Sequence, residues 1–87
     1  MKVSDKIMEM VADSHGVKLA SLTPETNFVR ELDDSVGALE DIMWCEEEFE
    51  IKIPNEEAET IETVADLIRC VETKLKQKPL RQDNYEF

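Results

Sequence analysis

The chain holds two cysteines, two glycines, three prolines and one histidine among its 87 residues, and only 10 basic side chains against 21 acidic ones. Each scarcity removes a class of function. Cys45 and Cys70 make neither a disulfide-rich scaffold nor a Cys-x-x-Cys motif, and no histidine cluster joins them, so a zinc site is excluded and a reducing compartment expected. Gly16 and Gly37 do not form a phosphate-cradling loop, and His15 has no cysteine beside it in sequence. The inventory for a self-contained active site is missing, and His15 reads as a helix-capping or surface residue. An EF-hand beginning at Asp33, with Ser35 and Gly37 as the next ligands, would put Ala38 where glycine is needed and Trp44 where a bidentate Glu belongs. The N-terminal MKVSDKIMEM lacks the apolar run of a signal peptide, and no stretch approaches the roughly 20 apolar residues that span a bilayer. A cytoplasmic protein is expected, without insertion into a membrane. The shortage of basic residues leaves a formal net charge of −11, which repels phosphate backbones and anionic lipids and makes basic protein surfaces the natural partners.

What is present fits one small domain, since two cores rarely close in so short a chain. The acid is focused. Residues 1–34 carry 4 basic and 7 acidic groups, residues 35–62 carry 1 and 10, and residues 63–87 carry 5 and 4, so nearly all the excess sits in the middle segment.

Helical periodicity organises the rest. Val3, Ile7, Met10 and Val11 mark one face of a first helix, with Ser4 a candidate N-cap, Val3 and Met8 a candidate hydrophobic staple, and Gly16 at its C-terminal end. Residues 16–34 make a connection too long to be left structureless in a compact domain. Val17, Leu19, Leu22, Phe28 and Leu32 are spaced to dip into the core, and Thr23-Pro24 opens a short turn. A second helix over residues 35–49 has Ser35 or Asp34 as its cap and two apolar stripes. Ala38, Ile42, Cys45 and Phe49 suit a core, while Val36, Leu39 and Met43, flanked by Glu40, Glu46 and Glu47, either pack under the loop or form an exposed docking strip. The pattern weighs these two readings equally. Residues 50–54 read as a loop closed by Pro54, Asn55 as the cap of a short helix over residues 56–61, and Thr63 with Asp66 as a capping box opening a last helix with Val64, Leu67, Ile68, Val71 and Leu75 on its apolar face. Residues 77–87 are expected to form a flexible tail after a domain over residues 1–76.

Ser35 is a hydroxyl at the start of an acidic helix. Its plainest role is capping, although a phosphate ester there would meet the positive end of the helix dipole. Asp34-Ser35-Val36 followed at fixed distance by EEEFEIKIPNEEAETIETV, with LTPETNFVREL upstream, resembles an acyl carrier protein of the stand-alone bacterial type over roughly residues 3–75. The resemblance implies an all-α four-helix bundle, with three main helices, one short helix and a long ordered loop between the first two. It also implies a 4′-phosphopantetheine arm, taken from coenzyme A and attached to Ser35 by a phosphopantetheinyl transferase that reads Asp34. Val36, Leu39, Glu40, Met43, Glu46 and Glu47 would then meet basic patches on acyl-processing enzymes, which decides the second stripe for docking. Ala38, Ile42, Cys45, Phe49, Ile53, Ile61 and Leu67 would shelter the acyl chain. The implied protein is a monomeric carrier, not an enzyme, serving fatty-acid or related specialised lipid synthesis. The alternatives are a carrier of aminoacyl or polyketide units, or an unmodified acidic adaptor with the same fold. Several positions depart from the family. The Leu32-Asp33-Asp34-Ser35 approach is one residue short and lacks glycine, Val36 stands where Leu is commonest, and Gly37 replaces a frequent acid. Trp44 stands at a normally small position as a lid on the core or a reshaper of its cavity. Asp41 falls at an apolar core position, so either the helix is rotated or the interior has a polar edge.

Overall fold

The computed structural model describes residues 2–32 and 38–77, and the expected caps Asp34 and Ser35, the docking residue Val36 and the tail over residues 78–87 lie outside them. The described residues form four α-helices, α1 (Val3–His15), α2 (Leu39–Phe49), the one-turn α3 (Asn55–Ala58) and α4 (Val64–Gln77), with a 3₁₀ turn at Leu19–Ser21. Among the described residues there is no strand, and Asn27 and Thr63 form an isolated antiparallel bridge. The three longer helices pack on one another in pairs.

In α1, Val3, Ile7, Met10 and Val11 are buried as their spacing predicts, joined by Ala12. Gly16 ends the helix in the left-handed region at φ 66°, letting the Val17 amide bond the Ala12 carbonyl and the Gly16 amide bond that of Asp13. The start differs from expectation. Lys2 takes the N-cap position with no side-chain bond, and Ser4 lies inside the first turn. Full burial of Val3 draws the helix two residues earlier, so Val3 and Met8 are not a staple across its boundary.

The connection after α1 is pinned to α4. The Thr26 amide bonds the Thr23 carbonyl at 3.0 Å, and the Thr23 amide bonds the Thr26 hydroxyl at 2.9 Å, a turn with Pro24 at its second position. Phe28 N–H then donates to the Glu62 carbonyl at 3.0 Å, Val64 N–H to Thr26 at 3.0 Å and Ala65 N–H to Pro24 at 2.7 Å. Leu22 and Phe28 are buried, and Val17 and Leu32 pack partly against the core. Leu19 does not follow them. It remains 48% exposed, because the 3₁₀ turn directs it away from the bundle.

In α2 the stripe Ala38, Ile42, Cys45 and Phe49 is wholly buried. The helix ends at Glu50, whose φ of 55° places an ordinary side chain in the region glycine favours. That geometry sends the Glu50 and Ile51 amides to the Glu46 carbonyl, while a Glu46 carboxylate oxygen takes the Ile53 amide at 2.8 Å. Ile51 and Ile53 are thereby seated in the core. The short helix begins at Asn55, one residue earlier than predicted, with Pro54 as N-cap, and stops at Ala58. Pro54 takes that place because its ring presets the entry dihedral and its carbonyl receives the Glu57 and Ala58 amides. The predicted box at α4 is present in both directions. Asp66 N–H donates to Thr63 Oγ1 at 3.2 Å, and an Asp66 oxygen accepts Thr63 N–H at 3.2 Å and Glu62 N–H at 3.0 Å.

Candidate functional site

Three environments meet on α2. Toward α3 lies an open cleft of about 360 Å³ lined by Ala38, Leu39, Ile42, Asn55, Ala58, Glu59 and Ile61. Its apolar walls come from the helix whose first described turn follows Ser35 by a few residues. Of the residues expected to shelter an acyl chain, Ala38, Ile42 and Ile61 border this cleft, while Cys45, Phe49, Ile53 and Leu67 lie deeper in the same apolar cluster. The cleft is therefore continuous in chemistry with the core.

Away from the bundle, α2 presents Leu39 and Met43, 49% and 56% exposed, with Glu40 and Glu47 exposed beside them. Leu39 and Met43 of the second stripe do not pack under the loop. Glu46 sits differently, half-buried and holding the Ile53 amide, so part of its hydrogen-bonding capacity serves the turn after α2. Met43, Glu46 and Glu47 continue into a groove of about 650 Å³ that reaches Lys74 and Gln77 on α4.

Toward α1 the helix buries Asp41, which is 1% exposed. The charge is not left unpaired. Ser14 Oγ donates to Asp41 Oδ1 at 2.9 Å, and His15 Nε2 lies within hydrogen-bonding distance of Asp41 Oδ2, at 2.9 Å. His15 stands in the last turn of α1 as expected, but it is the partner of a buried acid and not a surface residue, and its ring also stands 6.2 Å from that of Phe28. Asp41 is buried with Ser14 and His15 as its partners and does not border the cleft toward α3. Ser14 and His15 were not foreseen as its partners, and the available signal was a polar pair at the end of α1 facing a lone acid on an apolar helix face. Trp44 is half-buried against the core, edge-on to Phe49 with ring centroids 6.0 Å apart, as a lid would be.

Neither thiol is poised as a nucleophile. Burial pushes the Cys45 thiol far above its ordinary range, with the Asp41 carboxylate adding to the effect, and burial also raises that of Cys70. Among the described residues no cluster of His, Cys, Asp or Glu is arranged to hold a metal, and no helix is long and apolar enough to cross a membrane.

The described residues form a helical bundle with an apolar cleft beside the second helix, and Ser35 precedes that helix in the sequence. Residues 5–71 match the family described as the phosphopantetheine attachment site, which makes this a carrier domain for a 4′-phosphopantetheine arm. Acyl carrier proteins of three bacteria are similar over most of its length. That of Wolinella succinogenes is 42% identical over 74 residues, covering 84% of this chain and 97% of the relative. That of a Picosynechococcus species is 39% identical over 74 residues, covering 84% and 91%, and that of Lactobacillus acidophilus 38% identical over 73 residues, covering 83% and 91%. The chain belongs to the acyl carrier protein family and is a carrier, not an enzyme.

Proposed function

We propose that Ser35 is the attachment point of the arm, with Asp34 recognised by the modifying transferase, and that the carrier presents acyl thioesters to enzymes of fatty-acid or related specialised lipid synthesis. The arm supplies a terminal thiol on which acyl groups ride as thioesters. The chain's own residues supply shelter and address. Ala38, Ile42 and Ile61 receive the first part of the cargo, and Cys45, Phe49, Ile53 and Leu67 form the apolar interior behind them. Val36, Leu39, Glu40, Met43, Glu46 and Glu47 form the face read by basic patches on partners, where the acid speeds encounter and the exposed Leu39 and Met43 supply contact area. The observation that carries this reading is that α2 buries one apolar stripe completely while leaving the second exposed among carboxylates. As a shuttle the protein works as a monomer in the cytoplasm, in keeping with two unpaired thiols.

Intact mass after incubation with coenzyme A and a broad-specificity phosphopantetheinyl transferase tests the attachment. The mass increases by one arm in the native sequence and stays unchanged in Ser35→Ala. An increase that survives Ser35→Ala moves the site elsewhere. No increase with any transferase, including one encoded beside this carrier, supports the unmodified adaptor.

A further inference from the structure

The groove of about 650 Å³ between the end of α2 and the end of α4 pairs apolar surface with acid. Its apolar surface comes from Met43, 56% exposed, and from the edge of the mostly buried Ile51, and Glu46, Glu47 and Glu50 line it beside them. Lys74, which also lines it, is already held by Glu57 at 2.8 Å. Gln77, the last residue of α4, is a lining residue too, so the chain beyond it starts at the edge of the groove. That next stretch reads Lys78, Pro79, Leu80 and Arg81, two cations around an apolar pair, with no acidic residue before Asp83. We propose that residues 78–81 dock in this groove as an autoinhibitory segment, Leu80 against Met43 and Ile51 and the two cations among Glu46, Glu47 and Glu50, so that a partner enzyme must displace them to reach the face of α2. The docking stands on the groove, and its inhibitory consequence rests on the reading of Met43, Glu46 and Glu47 as part of the partner face.

Reach, charge and tethering each favour this occupant. Leu80 lies three residues past Gln77, a span of at most about 10 Å of extended chain, so it can meet the groove but not bypass it far. Pro79 has no amide proton to continue the helical ladder and disfavours helix at Lys78, which turns the chain off the axis of α4 beside the groove. The cations enter a concavity rich in carboxylates, where the field of the protein draws positive charge. Because the segment is tethered, its effective concentration at the groove is on the order of millimolar, and weak contacts suffice to hold it there. A partner that offers its own basic residues competes for the same three carboxylates.

The test uses two full-length variants, Leu80→Ser, which leaves the net charge unchanged, and Arg81→Gln. Backbone amide resonances of Met43, Glu47 and Ile51 report on the groove, and the KM and kcat of a phosphopantetheinyl transferase acting on the unmodified chain report on access to α2. In both variants these three amides shift from their native positions, and KM for the carrier falls about threefold at unchanged kcat, the change expected for a segment docked two-thirds of the time. Absence of any shift at the three amides overturns the docking. A shift accompanied by an unchanged or raised KM overturns the autoinhibition, a raised value meaning that the segment is itself a partner contact. Native amide positions that move toward those of the variants on dilution assign the groove to a second copy of the chain and overturn the proposal. If no transferase modifies Ser35, the carrier reading fails while the amide shifts still decide the docking.

Discussion

The starts of α2 and α4 are secured by opposite strategies. At α4 the load is distributed. Thr63 and Asp66 bond each other's amides, Asp66 also takes Glu62 N–H, and the carbonyls of Pro24 and Thr26 receive two further amides. At α2 no side-chain capping bond is made at the N-cap residue Ala38 among the described residues, and the first described turn is tied to α1 through a buried carboxylate with Ser14 and His15 as partners. Redundant bonds near the surface tolerate the loss of a member. A concentrated buried contact does not, because whatever remains is a charge without water. The helix that borders the cleft is thus held by the less forgiving device, while the helix at the back is held by the more forgiving one.

Substitutions can push this contrast until it fails. His15→Ala leaves the Asp41 carboxylate with Ser14 alone and is expected to cost about 3 kcal/mol in urea unfolding, the scale of a buried pair broken on one side. A loss under about 1 kcal/mol would mean that water or another donor reaches the seam. Asp66→Ala removes the two capping bonds its carboxylate accepts from the Glu62 and Thr63 amides yet is expected to cost only about 1–2 kcal/mol, because the Asp66 amide still bonds Thr63 Oγ1 and the loop carbonyls still engage the first turn of α4. This second change also carries a pH signature. The Glu62 amide, followed by the Thr63 amide and hydroxyl and the Arg69 charge, holds the Asp66 carboxyl below its usual range, against a smaller opposing effect of burial. With the folded value depressed, the stabilisation is present above the unfolded value of about 3.9 and is lost as pH falls through the folded one. Asp66→Asn should therefore flatten the acid side of the stability profile while leaving the neutral plateau lowered. Smallest of all is Arg69→Ala. Its guanidinium lies 3.3 Å from Asp66 but is 71% exposed, and the expected change is below about 0.5 kcal/mol.

How far each feature could be read in advance depends on how local its physics is. The Thr63–Asp66 box is spelled out within four consecutive residues and was legible, as were the buried stripe of α2 and the Gly16 ending of α1. The N-terminal boundary of α1 was not, because the pull on Val3 comes from the assembled core rather than from Ser4. Leu19 was misplaced for a similar reason, since apolar spacing says that a residue can face inward but not that the chain turns there. The site divides along the same line. That α2 has two apolar stripes is a property of its periodicity, whereas which stripe meets solvent is decided by the packing of α1 and α4. The seam was legible only as a question, because Asp41 announces a problem on an apolar face and its solution lies in the last turn of α1.

The bonds from the loop to α4 join segments from opposite halves of the chain. Breaking the pairings of Phe28 with Glu62, Thr26 with Val64 and Pro24 with Ala65 requires the loop and the fourth helix to separate together, so these amides should exchange with deuterium only on global unfolding. Among the described residues the one-turn α3 has no comparable backbone tether to the loop, and a Glu57–Lys74 ion pair at 2.8 Å links it to α4. The fourth helix is thus the common anchor, held by backbone bonds on the loop side and by a pair of side chains on the α3 side.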